Sequence, residues 1–127
     1  MIRVALADDH PEMRLSLRLL LSLSEEIEIV CETNNGQEAV DCVSRLQPDV
    51  LVMDIHMPVL DGFGATTQIN NLSVPTRVIL ISSYRGRLMV SNAVAVGAKG
   101  FVPKDDLVTF LRQAIETVHR GETFFVE

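Results

Sequence analysis

Leu51-Val52-Met53-Asp54-Ile55-His56-Met57-Pro58 decides how the rest of the chain is read. Val50 to Met53 are apolar in succession, so periodicity assigns neither side to solvent. Such a run suits a central parallel strand covered by helices on both faces. Met57-Pro58 opposes continuation, because proline restricts the residue before it and cannot donate to a ladder. Asp54 therefore falls at the carboxyl end of a buried strand, where open α/β sheets place their ligands. Taken alone, an aspartate there reads as a loop carboxylate or a helix cap. Inside a core it needs a partner.

Outward from that strand, strands and helices alternate. Ile2 to Ala7 is a short apolar strand ended by Asp8-Asp9-His10-Pro11. Pro11 fits the first position of a helix, with Asp9 or His10 before it. Met13, Leu17, Leu20 and Leu21 give that helix one apolar face, and Leu15, Leu19 and Leu23 are expected to widen it. Ile27 to Cys31 predicts a second strand, and Thr33-Asn34-Asn35-Gly36 a turn. A helix follows with Ala39, Val40, Val43 and Leu46 inward, ended by Pro48. Asp61-Gly62 opens a weaker helix reaching about Asn71, anchored by Phe63 and Ile69. Arg77 to Ile81 predicts the fourth strand, running into Ser82-Ser83-Tyr84. Arg87 to Val96 is helical, with Gly97 as its C-cap. Gly100-Phe101-Val102 is a short fifth strand that Pro103 should confine to an edge. Asp105 or Asp106 caps a last helix with Leu107, Phe110, Leu111, Ala114, Ile115 and Val118 in a clean stripe. The pattern is βα five times over, hence an α/β doubly wound parallel sheet with right-handed crossovers. Phe124-Phe125-Val126, beyond Gly121, either covers this domain or starts a linker.

The 127 residues suffice for one domain with its own core, and 47% apolar with 22% charged content is ordinary for a globular protein. A formal charge of −6 argues against direct nucleic-acid binding by this domain, though not by a partner domain. Cys31 and Cys42 are too few for a disulfide scaffold and too oddly spaced for a zinc site; each reads as a small buried hydrophobe. No signal peptide or membrane-spanning run is recognised, and the expected location is cytoplasmic.

Parallel strands present all their carboxyl ends on one edge. Strand one delivers Asp8 and Asp9 there, strand three Asp54, strand four Ser82, and Lys104 follows strand five. If these strands are neighbours, the groups converge. Three carboxylates repel one another, and a hard divalent cation resolves the repulsion. Magnesium takes one or two carboxylates together with waters and phosphate oxygens. Lys104 adds a positive charge and Ser82 a hydroxyl donor, which suits a transferred phosphoryl group rather than hydride or acyl chemistry. Singly, each has a bland reading: cap, turn hydroxyl, surface lysine, core aromatic. Joint placement carries the signal.

These motifs, with Met57-Pro58, Asp61-Gly62 and Phe101-Val102-Pro103-Lys104, resemble the receiver domain of bacterial two-component response regulators. The resemblance covers essentially the whole chain. Asp8-Asp9-His10-Pro11, Gly100 to Asp105 and Gly121-Glu122-Thr123 are similar to the NarL/LuxR subfamily. It implies strand order 2-1-3-4-5, the flavodoxin-like receiver fold, with the fifth strand at the edge. It implies Asp54 as phospho-acceptor, Asp9 as direct Mg2+ ligand, Asp8 acting mostly through water, and the His56 backbone carbonyl as a further ligand. Ser82 matches the switch hydroxyl, where threonine is commoner. Phe101 matches the switch aromatic, often tyrosine, and is expected to turn inward on phosphorylation. Lys104 matches the lysine that pairs with the acceptor. Many receivers carry proline after that lysine, often through a cis bond; here Asp105 follows and a trans bond is expected.

The implied partners are a sensor histidine kinase, an output domain of the same protein, and a second copy as a homodimer. Most subfamily members carry a C-terminal helix-turn-helix DNA-binding domain. Residues 122–127 are too few to hold one, so they read as a tail or linker to an absent output domain after a receiver over 1–121. The expected function is phosphoryl-dependent switching of partner affinity, with transcription as output. Autophosphorylation and its reversal would be its only catalysis. Two alternatives stand beside it. A degenerate receiver used only for interaction would lack some of these residues, and all are present. A hydrolase of similar topology would need a substrate-holding cap for which the chain leaves no room. A transition-metal site built from His10, His56 and the acids is a remote third.

Overall fold

The acidic ends named above depend on strand order for their convergence. The computed structural model describes residues 1–127. It alternates β1 (Ile2–Ala7), α1 (Pro11–Leu21), β2 (Ile27–Thr33), α2 (Gly36–Leu46), β3 (Val50–Asp54), α3 (Gly62–Asn70), β4 (Arg77–Ser82), α4 (Arg87–Ala95), β5 (Gly100–Pro103), α5 (Leu107–His119) and β6 (Phe124–Phe125). One 3-10 turn, Lys104–Asp106, joins β5 to α5. The sheet is parallel throughout, in the order β2-β1-β3-β4-β5-β6. The order reverses between β1 and β3, and ligand clefts open at such switch points.

The uniform apolarity of β3 now has its reason. Val50 and Val52 face α1 and α5, packing with Leu17, Leu21, Leu111, Ile115 and Val118. Leu51 and Met53 face α2, α3 and α4, packing with Ala39, Val43, Ile69 and Ala93. Both faces are covered, so alternation in side-chain direction leaves no alternation in polarity. Helix starts follow local chemistry. Pro11 occupies the first turn of α1. Asn35 caps α2 by accepting from the Glu38 N–H at 2.9 Å, and Asp61 caps α3 by accepting from the Gly64 N–H at 2.8 Å. Gly97 follows α4 at φ 93°, the left-handed conformation that ends helices.

Three expectations are corrected. Leu15, Leu19 and Leu23 do not widen the buried face of α1 but are exposed. Leu15 and Leu19 each stand two residues from the buried Leu17, about 200° around the helix. Second, β5 is not the edge strand, because β6 pairs outside it, Gly100 with Phe124 and Phe101 with Phe125. Pro103 remains compatible with this, since β6 ends before reaching it. The Phe124-Phe125-Val126 stretch thus covers the domain. Third, Asp106 precedes α5 but its side chain caps nothing; its Oδ2 pairs with Arg85 Nη2 at 3.0 Å. Cys42 is buried and Cys31 half-buried, and burial pushes the Cys42 thiol up to about 12. All peptide bonds are trans.

Candidate functional site

The carboxyl ends of β1, β3, β4 and β5 meet because those four strands are adjacent in the sheet. Ala7 pairs with Met53, Asp54 with Ile81, and Ser82 with Pro103, so the residues that follow arrive at one level. Asp8 is 0% exposed and Asp54 2%. Between them stands Lys104, whose Nζ donates to Asp54 Oδ2 at 3.2 Å and lies 3.2 Å from Asp8 Oδ2. The second Asp54 oxygen accepts from the His56 N–H at 3.3 Å. Asp8 Oδ1 accepts from the His10 N–H at 2.9 Å, and Arg14 Nη1 donates to the Asp8 carbonyl at 2.6 Å. Asp9 Oδ1 lies 3.2 Å from His10 Nδ1.

Charge is poorly balanced here. Burial pushes the Asp54 carboxyl above its ordinary range and the Asp8 charge pushes it further; the Lys104 charge and the His56 N–H oppose this without cancelling it. Burial alone would lower the Lys104 ammonium, but the charges of Asp54 and Asp8 outweigh it and raise it. One lysine thus serves two buried carboxylates with a third carboxylate beside them. Asp8 Oδ2 has no partner besides the Lys104 ammonium at 3.2 Å, and Asp9 Oδ1 is buried without a hydrogen bond. Such oxygens ordinarily have partners. Oxygen donors of Asp8, Asp9 and Asp54, together with a nitrogen of His10, lie within 4.8 Å of one another. Anionic hard-oxygen donors with unused lone pairs suit a divalent cation of the magnesium class.

The loop from β3 to α3 shapes one wall. The Gly62 N–H donates to the Ile55 carbonyl at 2.8 Å. A Cβ on Gly62 would lie 2.5 Å from the Asp54 carbonyl oxygen, so only glycine permits this approach. Val59 is 81% exposed and holds φ 71°, a conformation costly for a β-branched residue. Val59→Asn is expected to raise stability by about 1 kcal/mol, because asparagine tolerates that conformation. Thermal unfolding checks it; a lowered midpoint would mean that the valine side chain makes a contact that matters.

Ser82 is buried, and its Oγ accepts from the Tyr84 N–H at 3.0 Å. His56 and Tyr84 meet edge to face, ring centres 5.3 Å apart. Phe101 is 0% exposed with Phe125 beside it in register. The inward position expected of it only after phosphorylation is already occupied. Asp8, Asp9, Asp54, His56, Ser82 and Lys104 are thus brought together, while Phe101 lies within β5 beside β6. Sequence reasoning missed Arg14 and Arg85. Both use backbone oxygens as partners, and no spacing rule announces those.

No helix is long and apolar enough to cross a membrane. Residues 4–116 match the family described as response regulator receiver domain. The transcriptional regulatory protein LnrK of Bacillus subtilis is 33% identical over 121 residues, 95% of this chain and 55% of that protein. The chain therefore spans about half the length of such relatives. A protein-glutamate methylesterase/protein-glutamine glutaminase of Carboxydothermus hydrogenoformans is 43% identical over 107 residues, 83% of this chain but 30% of that protein. The signal receiver domain of the response regulator NarL from Mycobacterium tuberculosis superposes with a TM-score of 0.90 at 34% identity, covering 95% of this chain and 98% of that one. With the parallel sheet, the acidic switch-point cluster and these likenesses together, the chain belongs to the response regulator receiver domains, with NarL/LuxR-type regulators among its relatives.

Proposed function

We propose that this receiver accepts a phosphoryl group on Asp54 from a sensor histidine kinase, with Mg2+, and thereby changes its affinity for an output domain. The observation that carries this reading is the placement of Asp54. Its buried carboxylate ends the central strand β3, with Lys104 bonded to one oxygen and the Asp8-Asp9 pair alongside. In the transfer, an Asp54 oxygen forms the new O–P bond as the N–P bond of the donor histidine breaks. The released imidazole keeps the electron pair and takes a proton. Asp8, Asp9, Asp54 and the His56 carbonyl would hold the ion, which neutralises charge on the phosphoryl oxygens. Lys104 orients the acceptor and then has a phosphoryl oxygen to pair with. Ser82 uses Oγ as an acceptor toward Tyr84, which leaves its own O–H proton free to donate.

Transcription is the proposed output, through a DNA-binding domain outside these residues, because LnrK is a transcriptional regulatory protein of about twice this length. A cytoplasmic location and self-association of the phosphorylated form belong to the same proposal. Incubation with Mg2+ and acetyl phosphate is expected to add one phosphoryl group, read by intact mass, and none to Asp54→Asn. Equal labelling of that variant would place the acceptor elsewhere.

A further inference from the structure

The two-residue strand β6 is too short to hold itself on the sheet by ladder bonds alone. Its attachments can be named. The Phe124 N–H donates to the Lys99 carbonyl at 3.0 Å and the Val126 N–H to the Phe101 carbonyl at 2.9 Å. Phe125 packs onto the core face that contains Phe101. Phe124 tilts against Phe110 of α5, ring centres 5.9 Å apart. Gly100 has no side chain where a Cβ would meet the Phe124 carbonyl at 3.0 Å, which lets the strand approach.

The remaining attachment comes from the loop after β4. Arg85 donates from Nε at 3.1 Å and from Nη2 at 2.8 Å to the backbone oxygen of Glu127. The same Nη2 lies 3.0 Å from Asp106 Oδ2, in the turn that follows Lys104. One guanidinium therefore ties together the loop that begins at Ser82, the turn that begins at Lys104, and the segment that continues β6. The planar fork explains why arginine does this and lysine would not, since two donors must reach one oxygen while one of them faces a carboxylate.

We propose that the outer edge of β5 is a docking edge for the chain's own segment Phe124–Val126, and that Arg85 couples its occupancy to the phosphorylation state of Asp54. The proposal rests on the receiver reading. When Ser82 donates to a phosphoryl oxygen, the loop carrying Arg85 is drawn toward Asp54. Arg85 then leaves Glu127 and Asp106. The strand keeps only its short ladder and the two phenylalanines, and it detaches. Detachment uncovers the Lys99 and Phe101 carbonyls and one side of Phe101. An open parallel edge of this kind accepts an extended strand. It also frees the C-terminal end of the domain, so the switch has a mechanical route out of the acidic site.

Hydrogen exchange at the Phe124 and Val126 amides tests this, with Leu51 to Met53 in β3 as the internal check that the fold is intact. Without phosphoryl donor, Arg85→Ala is expected to speed exchange at those two amides roughly tenfold, the factor that loss of one hydrogen bond to a charged group gives. Arg85→Lys should recover only part of the protection. Asp106→Asn, which removes the carboxylate charge and leaves the Glu127 contact, should give a smaller rise and serves if Arg85→Ala proves unfolded. With Mg2+ and acetyl phosphate, the wild type should show the same rise and Asp54→Asn none. Protection in Arg85→Ala equal to wild type would overturn the latch. A donor-induced rise in Asp54→Asn would overturn the coupling. Intact mass separates these from failure of the receiver reading: if no phosphoryl group is gained, the coupling falls with that reading, and the Arg85→Ala result alone decides the latch.

Discussion

Lys104→Met is expected to cost about 3 kcal/mol of stability at neutral pH in metal-free buffer, the scale for removing one partner of a buried ionic cluster. Lys104 Nζ is the cation within 4 Å of both Asp8 and Asp54, at 3.2 Å from each. Methionine fills similar volume, so the loss is charge rather than packing. Two buried carboxylates are then left facing one another. The deficit should shrink as pH falls. The Asp54 carboxyl already titrates above its ordinary 3.8 when folded, so the native state binds a proton more readily than the unfolded chain. Stability associated with that group is therefore greatest at low pH and declines as pH rises through the window above 3.8. Removing Lys104 strengthens the upward push and widens the window. Acidification should therefore restore part of the loss. The lysine has the opposite consequence at the alkaline end. Its folded value is raised above the ordinary 10.5, so its contribution is present below 10.5 and lost as pH climbs through the folded value. Urea unfolding of both proteins at about pH 5 and pH 7.5 decides it. A variant as stable as wild type at the higher pH would show that water, not Lys104, carries the charge balance.

The elements that sequence reading placed well are those whose reasons are local. β1, β3 and β4 are unbroken apolar runs ended by Asp8, Asp54 and Ser82, and the parallel arrangement follows from the helices between them. Convergence of Asp8, Asp9, Asp54, Ser82 and Lys104 then follows from strand adjacency alone. The misplaced features depend on distant neighbours. Leu15 and Leu19 share a residue type with Leu17 but not its angular position on α1, and composition alone hides the difference. β6 is two residues whose stability comes from Gly100, Phe101 and Phe110, none of them near in sequence. The loop conformation of Val59 contradicts its own residue preference. Arg85 and Glu127 are 42 residues apart and meet through a backbone oxygen, which any residue supplies. Phe101 reads in the sequence as a candidate switch aromatic, but its burial beside Phe125 depends on β6, which two residues do not announce as a strand.

Asp9→Ala is expected to weaken Mg2+ binding by about 100-fold and to reduce phosphorylation from acetyl phosphate below detection, while leaving the metal-free domain at least as stable as wild type. The two halves of this expectation have one origin. Asp9 adds a third carboxylate to Asp8 and Asp54, and Lys104 makes its ion pairs with those two. Its near polar neighbour is the exposed His10 ring, 3.2 Å from Oδ1. Truncating Asp9 thus removes repulsion without orphaning the buried ammonium, the reverse of Lys104→Met. The gain should not exceed about 1 kcal/mol, because the side chain is partly solvated. What is lost is a buried oxygen without a hydrogen bond, the donor that a cation can claim at no cost to existing bonds. Calorimetric titration with MgCl2 and urea unfolding of the same sample read the two effects separately. Falling affinity with unchanged or increased stability assigns Asp9 to metal binding. Unchanged affinity would remove it from the ligand set and leave Asp8 and Asp54 to hold the ion, with the Lys104 ammonium already offsetting one of their two negative charges. Phosphorylation of Asp9→Ala at the wild-type rate would likewise overturn the assignment of Asp9 as a metal ligand.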